Sequence, residues 1–364
     1  MTDFDSPPSK EPRIAVLIPA YNEEVVLEGT IKALVEAGTK VTNIYVVDDR
    51  STDHTVEIAK SCGVHAFTVP VNGGKANAQK AALEHFQLIE NYEWIVFLDG
   101  DTKVDKDFMV QLALRAVKDP TVALYVGQVK SARNSHVFSA ARAVEYAYGQ
   151  DLMKSGQSNF NVIFVSPGCS SMYQTKMLSQ LHIDHLTLAE DMDLTVQVHR
   201  KGGRVVYVPE AMVYTQDPAT LKDYNKQILR WYRGFWQVIA KHGTLSIFRR
   251  KQRIDWYMLL LIVDAIVFNR AAWLIGLMIY MPHNALPLMA IDVGAAGLVT
   301  LYGAFRTRRW DCVFKFPLTY FITYLNIFAY TRSLVEIVVL KKELLTWNKV
   351  ARYEFGTEKP DQPL

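Results

Sequence analysis

Two aspartates follow a short apolar run near the end of the first hundred residues. The run, 94–98 (WIVFL), predicts a buried strand of a sheet that is covered on both faces, and Asp99 and Asp101 come directly after it. Carboxylates at the end of a buried strand are costly unless a positive charge lies beside them. Two carboxylates at this spacing can share a divalent cation, and oxygen ligands favour Mg²⁺ or Mn²⁺ over zinc. A polar turn that caps the helix starting near Lys106 is the alternative.

A lysine behind two glycines marks a second candidate site. Lys75 follows Gly73 and Gly74 at the start of a predicted helix. Free backbone amides at a helix N-terminus, together with a lysine, can bind a phosphate. The spacing does not match the P-loop, which requires Gly-x-x-x-x-Gly-Lys followed by Ser or Thr. An ordinary glycine-led turn explains the same residues.

Three acidic residues, Glu190, Asp191 and Asp193, open another predicted helix within 188–202. Acids in a first turn interact favourably with the helix dipole, which is a sufficient structural reason for them. The functional interpretation is that Asp191 acts as a general base and takes a proton from an attacking hydroxyl group.

Gln227, Arg230 and Trp231 are spaced so that they share one face of a helix. An arginine can bind a diphosphate. A tryptophan offers a flat apolar surface on which a sugar ring can stack. Alternatively, this aromatic segment is a helix that lies on a membrane surface, with the tryptophan as its anchor.

Strands and helices alternate in the part of the chain that carries most of these residues. Short apolar strands separated by helices of about 10 to 15 residues predict an α/β fold with a mostly parallel sheet. Ligands gather at the carboxyl ends of such strands, where Asp48, Asp49 and the segment 21–24 also lie. The predicted strands are 14–20, 44–49, 64–70 and 94–99, and the predicted helices are 26–38, 51–63, 74–89 and 106–118.

The chain changes character after the basic segment 241–255. Three apolar runs follow, at 256–281, 285–305 and 316–340, each long enough to cross a bilayer. Basic residues beside apolar runs are typical of the cytoplasmic side of a membrane. The sequence therefore predicts two or three transmembrane helices within 256–340, in a multi-pass protein of the inner or plasma membrane.

The basic residues also predict the orientation. Those before the first run and those at 305–310 place both segments in the cytoplasm, with 282–284 outside. The segment 341–349 is basic as well, which conflicts with a simple third crossing. Either the third run, 316–340, lies in the interface or re-enters the membrane, or the charge rule fails there. The tail 341–364 is predicted to be cytoplasmic.

Composition excludes other classes of protein. A formal net charge of +3 over 364 residues gives no reason to expect a nucleic-acid partner. The three cysteines are far apart and odd in number, which indicates a reducing compartment without a structural disulfide. Residues 1–12 are polar and contain prolines, and they predict a disordered lead rather than a signal peptide.

Six motifs, in this order, together resemble the family 2 inverting glycosyltransferases. Within that family the chain is similar to the membrane-bound branch that holds the poly-N-acetylglucosamine, hyaluronan, chitin and cellulose synthases. Order and spacing of several motifs are far more specific than any one of them. The resemblance covers roughly residues 13–240, and it implies a GT-A fold for that domain. The motifs are IPAYNEE, VVDDRSTDHT, GGKANA, FLDGDT, AEDMDLT and QILRW.

The resemblance implies a UDP-sugar donor, of the UDP-N-acetylglucosamine or UDP-glucose type. It places Tyr21 and Glu23 in the nucleotide pocket and Asp49 against the uracil. It implies that Lys75 helps to hold the nucleotide and its phosphates.

For the reaction centre, the resemblance implies that Asp99 faces the nucleotide sugar and that Asp101, with Asp99, binds Mg²⁺ or Mn²⁺ on the diphosphate. Asp191 would be the general base, with Glu190 beside it. The family chemistry is a single displacement in which UDP leaves one side of the anomeric carbon while a hydroxyl arrives at the other.

The QxxRW motif of these enzymes matches Gln227, Arg230 and Trp231. The resemblance places Arg230 by the diphosphate, and Trp231 and Gln227 at the acceptor sugar. The segment 166–171 falls where such enzymes meet the acceptor. Three weaker acceptor-binding candidates there are Gly168, Cys169 and Ser170.

The large polymer synthases of this branch have membrane helices before the catalytic domain, whereas this sequence shows them only after it. Three hypotheses therefore stay open. The chain extends a polysaccharide, as a homo-oligomer or with a separate exporter. It adds one sugar to a membrane lipid, as ceramide glucosyltransferases do. Or it is a silent scaffold or nucleotide-binding module, against which the intact Asp99, Asp101, Asp191 and Arg230 argue.

Overall fold

The apolar runs of the sequence form strands of one eight-stranded sheet. The computed structural model of the chain describes residues 12–132, 137–218, 220–243, 251–267, 276 and 279–345. The strands are β1 Ile14–Ala20, β2 Ile44–Asp48, β3 His65–Thr68, β4 Trp94–Phe97, β5 Thr102–Val104, β6 Leu124–Ser131, β7 Ser171–Gln174 and β8 Val205–Thr215.

The helices lie between and after these strands. Short π-helical turns follow three of them, at Ala147–Met153, Ile239–Gly243 and Val335–Val339. The helices are α1 Leu27–Glu36, α2 Thr55–Ser61, α3 Lys75–His85, α4 Leu88–Asn91, α5 Phe108–Lys118, α6 Val137–Tyr146, α7 Lys154–Phe160, α8 Thr175–Leu178, α9 Glu190–Arg200, α10 Leu221–Val238, α11 Arg253–Val267, α12 Ala285–Thr307, α13 Asp311–Phe314 and α14 Phe316–Leu334.

The strand order in the sheet is β3-β2-β1-β4-β7-β6-β8-β5. The first four of these strands are parallel to one another, and β6 is parallel to β8. Two strands run the other way: β7, between β4 and β6, and β5, at the edge beside β8. The predicted mostly parallel sheet is therefore confirmed. The two antiparallel strands, β5 and β7, were not predicted from the sequence.

Both faces of the sheet are buried. In β1, Val16 and Ile18 belong to one hydrophobic core, while Ala15 and Leu17 belong to the core on the opposite face. Successive side chains of a strand point to opposite faces, so a strand covered on both sides must be apolar throughout. This is why the central strands appear in the sequence as unbroken apolar runs.

The predicted strands and helices up to residue 118 are all present, with ends that differ by a few residues. Four predicted segments lie partly or wholly outside the described residues: the lead 1–12, the basic segment 241–255, the first apolar run 256–281 and the tail 341–364. Of 256–281, the structure describes the part that forms α11 and a few later residues.

Two described helices are long and apolar enough to cross a membrane, Leu286–Thr307 and Phe316–Val339. Only 17% and 28% of their most apolar windows are buried, so neither has the surroundings of a soluble core helix. The helix α14 nevertheless packs on α10 along one face. That face carries the buried residues Thr319, Ile322, Asn326, Ala329 and Ser333.

Candidate active site

The carboxyl ends of β1, β2 and β4 open into one cavity of 1070 Å³. The segment before β7 and the start of α9 also line it, and α10 lies along one side. The lining includes Tyr21, Glu23, Asp49, Lys75, Asp99, Asp101, Gly168, Cys169, Glu190, Asp191, Gln227, Arg230 and Trp231.

The sequence predicts fourteen site residues. Thirteen of them line the cavity, and Ser170 is the one that does not. Its side chain is fully buried behind the wall, where its hydroxyl donates to the carbonyl oxygen of Gly127 over 3.3 Å. Its predicted contact with an acceptor therefore has no support from its position. The thirteen residues come from seven separate stretches of sequence, which the ends of the strands and the helices α3, α9 and α10 bring together.

Asp49 is held at the end of β2 by the turn that precedes α3. Its two carboxylate oxygens accept hydrogen bonds from the backbone N–H groups of Gly73, at 2.9 Å, and Gly74, at 2.8 Å. Gly74 has φ +81°, a conformation that favours glycine, and this turn brings both amides towards β2. Burial raises the pKa of Asp49, and the two backbone hydrogen bonds oppose that rise.

Lys75 connects two acidic parts of the cavity. Its Nζ lies 2.7 Å from Asp99 Oδ1, after β4, and 2.9 Å from Glu190 Oε1, at the start of α9. Burial lowers the pKa of Lys75, but the carboxylates of Asp99, Glu190 and Asp191 outweigh it and hold the pKa well above its usual value. Lys75 therefore supplies one positive charge beside Asp99.

Asp191 lies in the first turn of α9. Its Oδ2 accepts the N–H of Gly168 at 3.0 Å, and its Oδ1 accepts the N–H of Met192 at 2.8 Å. Burial, and then the negative charge of Glu190, raise the pKa of Asp191 to about 6, against the opposing effect of Lys75. A carboxylate with a pKa near neutrality is suited to general base catalysis.

A side chain at Gly168 would displace the end of Lys75. A Cβ built at this position would stand 2.5 Å from Lys75 Nζ and 3.7 Å from the Cβ of Asp191. The neighbouring Cys169 is buried in the same wall, and burial raises the pKa of its thiol, which stays protonated near neutral pH. The segment after residue 166 thus shapes the space between the lysine and the predicted base.

The residues fit a divalent cation that a ligand helps to hold. Asp99 and Asp101 both line the cavity at the end of β4. Within the described part of the chain, no group of three or more His, Cys, Asp or Glu side chains is placed to hold a metal by itself. Two carboxylates fit Mg²⁺ or Mn²⁺, because such ions are commonly bound through one or two carboxylates together with substrate phosphates and water.

The helix α10 presents the three residues of the QxxRW motif to the cavity. Its start is capped by Thr220, whose hydroxyl accepts the N–H of Asp223 at 3.1 Å. Gln227, Arg230 and Trp231 share the predicted face and all line the cavity. The spacing of these residues was therefore a reliable guide to their side of the helix.

Sequence reasoning missed several residues that also line the cavity. Some of them are apolar and lie near the C-terminal side of α10: Val165, Tyr232, Phe235 and Leu345. Residues of this kind carry no chemical signature in a sequence. Their role becomes visible only when the chain brings them beside the polar end of the site.

The sheet and the site together define a glycosyltransferase of the GT-A type. Residues 12–234 match the family model described as "Glycosyltransferase like family 2". The chain belongs to this family, and the predicted family, enzyme class and fold are confirmed.

Relatives and a solved structure agree with this assignment. A probable glycosyltransferase of Bacillus subtilis is 25% identical over 94% of this chain and 87% of its own length. A poly-beta-1,6-N-acetyl-D-glucosamine synthase of Staphylococcus epidermidis is 24% identical over 68% of this chain, and the match spans only 60% of that relative. The structure of a mannosyltransferase from Pyrobaculum calidifontis, in complex with GDP-Man and Mn²⁺, is 19% identical with a TM-score of 0.59, over 85% of this chain and 90% of that one.

Proposed function

We propose that the chain is a membrane-bound inverting glycosyltransferase that moves a sugar from a UDP-sugar to a growing polysaccharide. The donor is of the UDP-N-acetylglucosamine or UDP-glucose type. The observation that carries the proposal is the contact of Lys75 with both Asp99 and Glu190, because it brings the predicted donor side and the predicted base into one site. The name of the Staphylococcus epidermidis relative supports a polysaccharide product.

The donor side of the proposed site lies at the ends of β1, β2 and β4. Tyr21, Glu23 and Asp49 line the part that would hold the nucleotide. Lys75 and Arg230 would bind the diphosphate as cations. A divalent cation held by Asp99 and Asp101 would offset the charge that grows on the leaving diphosphate.

The proposed reaction is one displacement. The acceptor hydroxyl oxygen forms a bond to the anomeric carbon, while the bond from that carbon to the diphosphate oxygen breaks and UDP leaves. Asp191 accepts the hydroxyl proton, which requires its ionised form. Glu190 stays beside Lys75 and keeps the local charge balanced.

The membrane assignment rests on the C-terminal helices. Two described helices are apolar and mostly exposed along their length, which is the pattern expected of lipid-facing surfaces. We propose a domain division of 13–240 for catalysis, 241–255 as a basic interfacial segment and 256–340 as the membrane region. The catalytic domain then faces the cytoplasm.

A second candidate function is the addition of one sugar to a membrane lipid. The apolar residues at one end of the cavity favour it, since Phe235 and Leu345 lie beside the polar site. α10, which carries the predicted acceptor residues, also packs against α14, whose other face is apolar and exposed. A lipid acceptor could reach the site from that side.

The test is to incubate membranes that contain the full chain with a panel of UDP-sugars and Mn²⁺, and to measure UDP release and product size. We expect release with one or a few UDP-sugars, and loss of release in Asp191→Asn. Asp107→Asn is the matched control, because Asp107 is exposed and does not line the cavity. A long product supports the polysaccharide, a single added sugar supports the lipid, and no release with any UDP-sugar contradicts both.

A further inference from the structure

A buried arginine lies behind the QxxRW face of α10. Arg142, in α6, is 1% exposed and does not line the cavity. Its Nη2 donates to Gln227 Oε1 over 2.8 Å, and its guanidinium carbon lies 4.3 Å from the ring centroid of Trp231. Both of those partners line the cavity. One side chain thus contacts two predicted acceptor residues from the side opposite the substrate space.

The charge of Arg142 is balanced within the same cluster. Its Nη1 donates to Glu145 Oε2 over 2.6 Å. Glu145 Oε1 in turn accepts from Asn326 Nδ2, in α14, at 2.5 Å. A buried guanidinium without such a partner would strongly destabilise the fold. Tyr224 adds an aromatic ring 4.7 Å from the guanidinium carbon.

This arrangement constrains how the site can be used. The guanidinium covers one face of the Trp231 indole, so a sugar ring can stack only on the other. Because Gln227 Oε1 accepts from Arg142, the amide NH₂ group is the end that does not face the arginine. The tryptophan plane and the amide orientation are both fixed before an acceptor arrives.

We propose that Arg142 is a positioning residue for acceptor binding, which acts by holding Trp231 and Gln227. This proposal rests on the proposed function, because it assumes that these two residues meet the acceptor. An arginine suits the role since its planar guanidinium stacks on a ring and donates hydrogen bonds at the same time. A lysine keeps the charge but not the planar fork.

The test compares Arg142→Lys with wild type, using an N-acetylglucosamine oligosaccharide as the acceptor probe and UDP-N-acetylglucosamine with Mn²⁺ as the donor. We expect the acceptor KM to rise roughly tenfold or more, from the loss of one charged hydrogen bond and one desolvated cation–π contact. The donor KM, and UDP release without acceptor, should stay within about twofold, since Arg142 lies outside the cavity lining.

A double-mutant cycle separates positioning from general stability. In a Trp231→Ala background, Arg142→Lys should change the acceptor KM by much less than it does in the wild type. Tyr224→Phe is the matched variant, because it keeps the ring beside Arg142 and loses only the hydroxyl, which donates to Asn326 Oδ1 over 2.9 Å and to Glu145 Oε1 over 3.4 Å. We expect its acceptor KM to stay near that of wild type.

Three results would overturn the proposal. They are an unchanged acceptor KM in Arg142→Lys, equal changes in donor and acceptor KM, and full additivity with Trp231→Ala. If Arg142→Lys does not fold, Gln227→Leu removes the oxygen that accepts from Arg142, and an unchanged acceptor KM there overturns the proposal too. A wild-type chain that releases no UDP from any UDP-sugar overturns the proposed function itself, and the role of Arg142 with it.

Discussion

Replacing Gly168 by alanine is a small change that should disturb the centre of the site. Gly168 is outside the positive-φ region, so alanine fits its backbone conformation. The added Cβ, however, would stand 2.5 Å from Lys75 Nζ. Since carbon contacts are ordinarily about 3.5 Å or longer, the ammonium must retreat by about 1 Å.

The structure gives the size of the effect. Lys75 Nζ now lies 2.7 Å from Asp99 Oδ1. With an effective dielectric constant of about 20, lengthening such a pair by about 1 Å weakens it by roughly 1.5 kcal/mol. A displacement of about 1 Å in a catalytic arrangement can cost on the order of 100-fold in rate. We therefore expect kcat/KM to fall by roughly 10- to 100-fold.

The assay is UDP release from the preferred UDP-sugar, with thermal unfolding measured in parallel. Gly156→Ala is the matched control, because a Cβ at Gly156 meets nothing within 4 Å and its φ is not positive. We expect that control to keep wild-type activity. If Gly168→Ala stays within about twofold of wild type while Asp191→Asn is inactive, the position of Lys75 does not matter for the reaction and the reasoning is refuted.

Three further predictions follow from single features of the site. Because the pKa of Asp191 is raised to about 6 and the base must be ionised, kcat/KM should fall about tenfold per pH unit below that value. A kcat/KM that stays constant from pH 5 to 8 would contradict the role of Asp191 as the base. Asp49→Asn leaves one of the N–H groups of Gly73 and Gly74 without its acceptor, so we expect the free energy of unfolding in urea to fall by about 1–3 kcal/mol. We also expect weaker UDP binding, and an unchanged UDP affinity would argue against a nucleotide contact. Trp231→Ala should raise the acceptor KM without changing UDP release in the absence of acceptor, and an equal loss of both activities would contradict an acceptor role.

Much of the site could be predicted because its residues follow strongly patterned strands. Asp49, Asp99 and Asp101 each come just after a run that is apolar throughout, and the ends of parallel strands meet at one edge. At these residues the apolar run that predicts the strand also predicts where the strand ends in the sheet. The sequence alone therefore indicated which acids converge.

The strand β7 could not be predicted in the same way. Its residues, Ser171–Gln174, include only two apolar side chains, and it is defined by antiparallel pairing with β4 and β6. Those partners lie many residues earlier in the chain. Pairing between distant segments of short, partly polar sequence leaves no local periodic signal.

Arg142 shows the same limit for a site residue. It lies in an alanine-rich helical segment, and its partner Gln227 is 85 residues away. A lone arginine in such a segment resembles an exposed helix residue, and nothing in the sequence distinguishes it. By contrast, the buried residues of α14 recur every three or four positions, and three of them are polar, a pattern that indicates a packed helix face and could have been used.

The most direct test of the central claim is calorimetric binding of UDP to the full chain, with and without Mn²⁺. The account predicts that UDP binds more tightly when Mn²⁺ is present, and that Asp101→Asn removes this dependence while the fold stays intact. A UDP affinity that is the same with and without Mn²⁺ would contradict a cation held between Asp99, Asp101 and the diphosphate. An equal increase in affinity with Mn²⁺ in wild type and in Asp101→Asn would contradict it too.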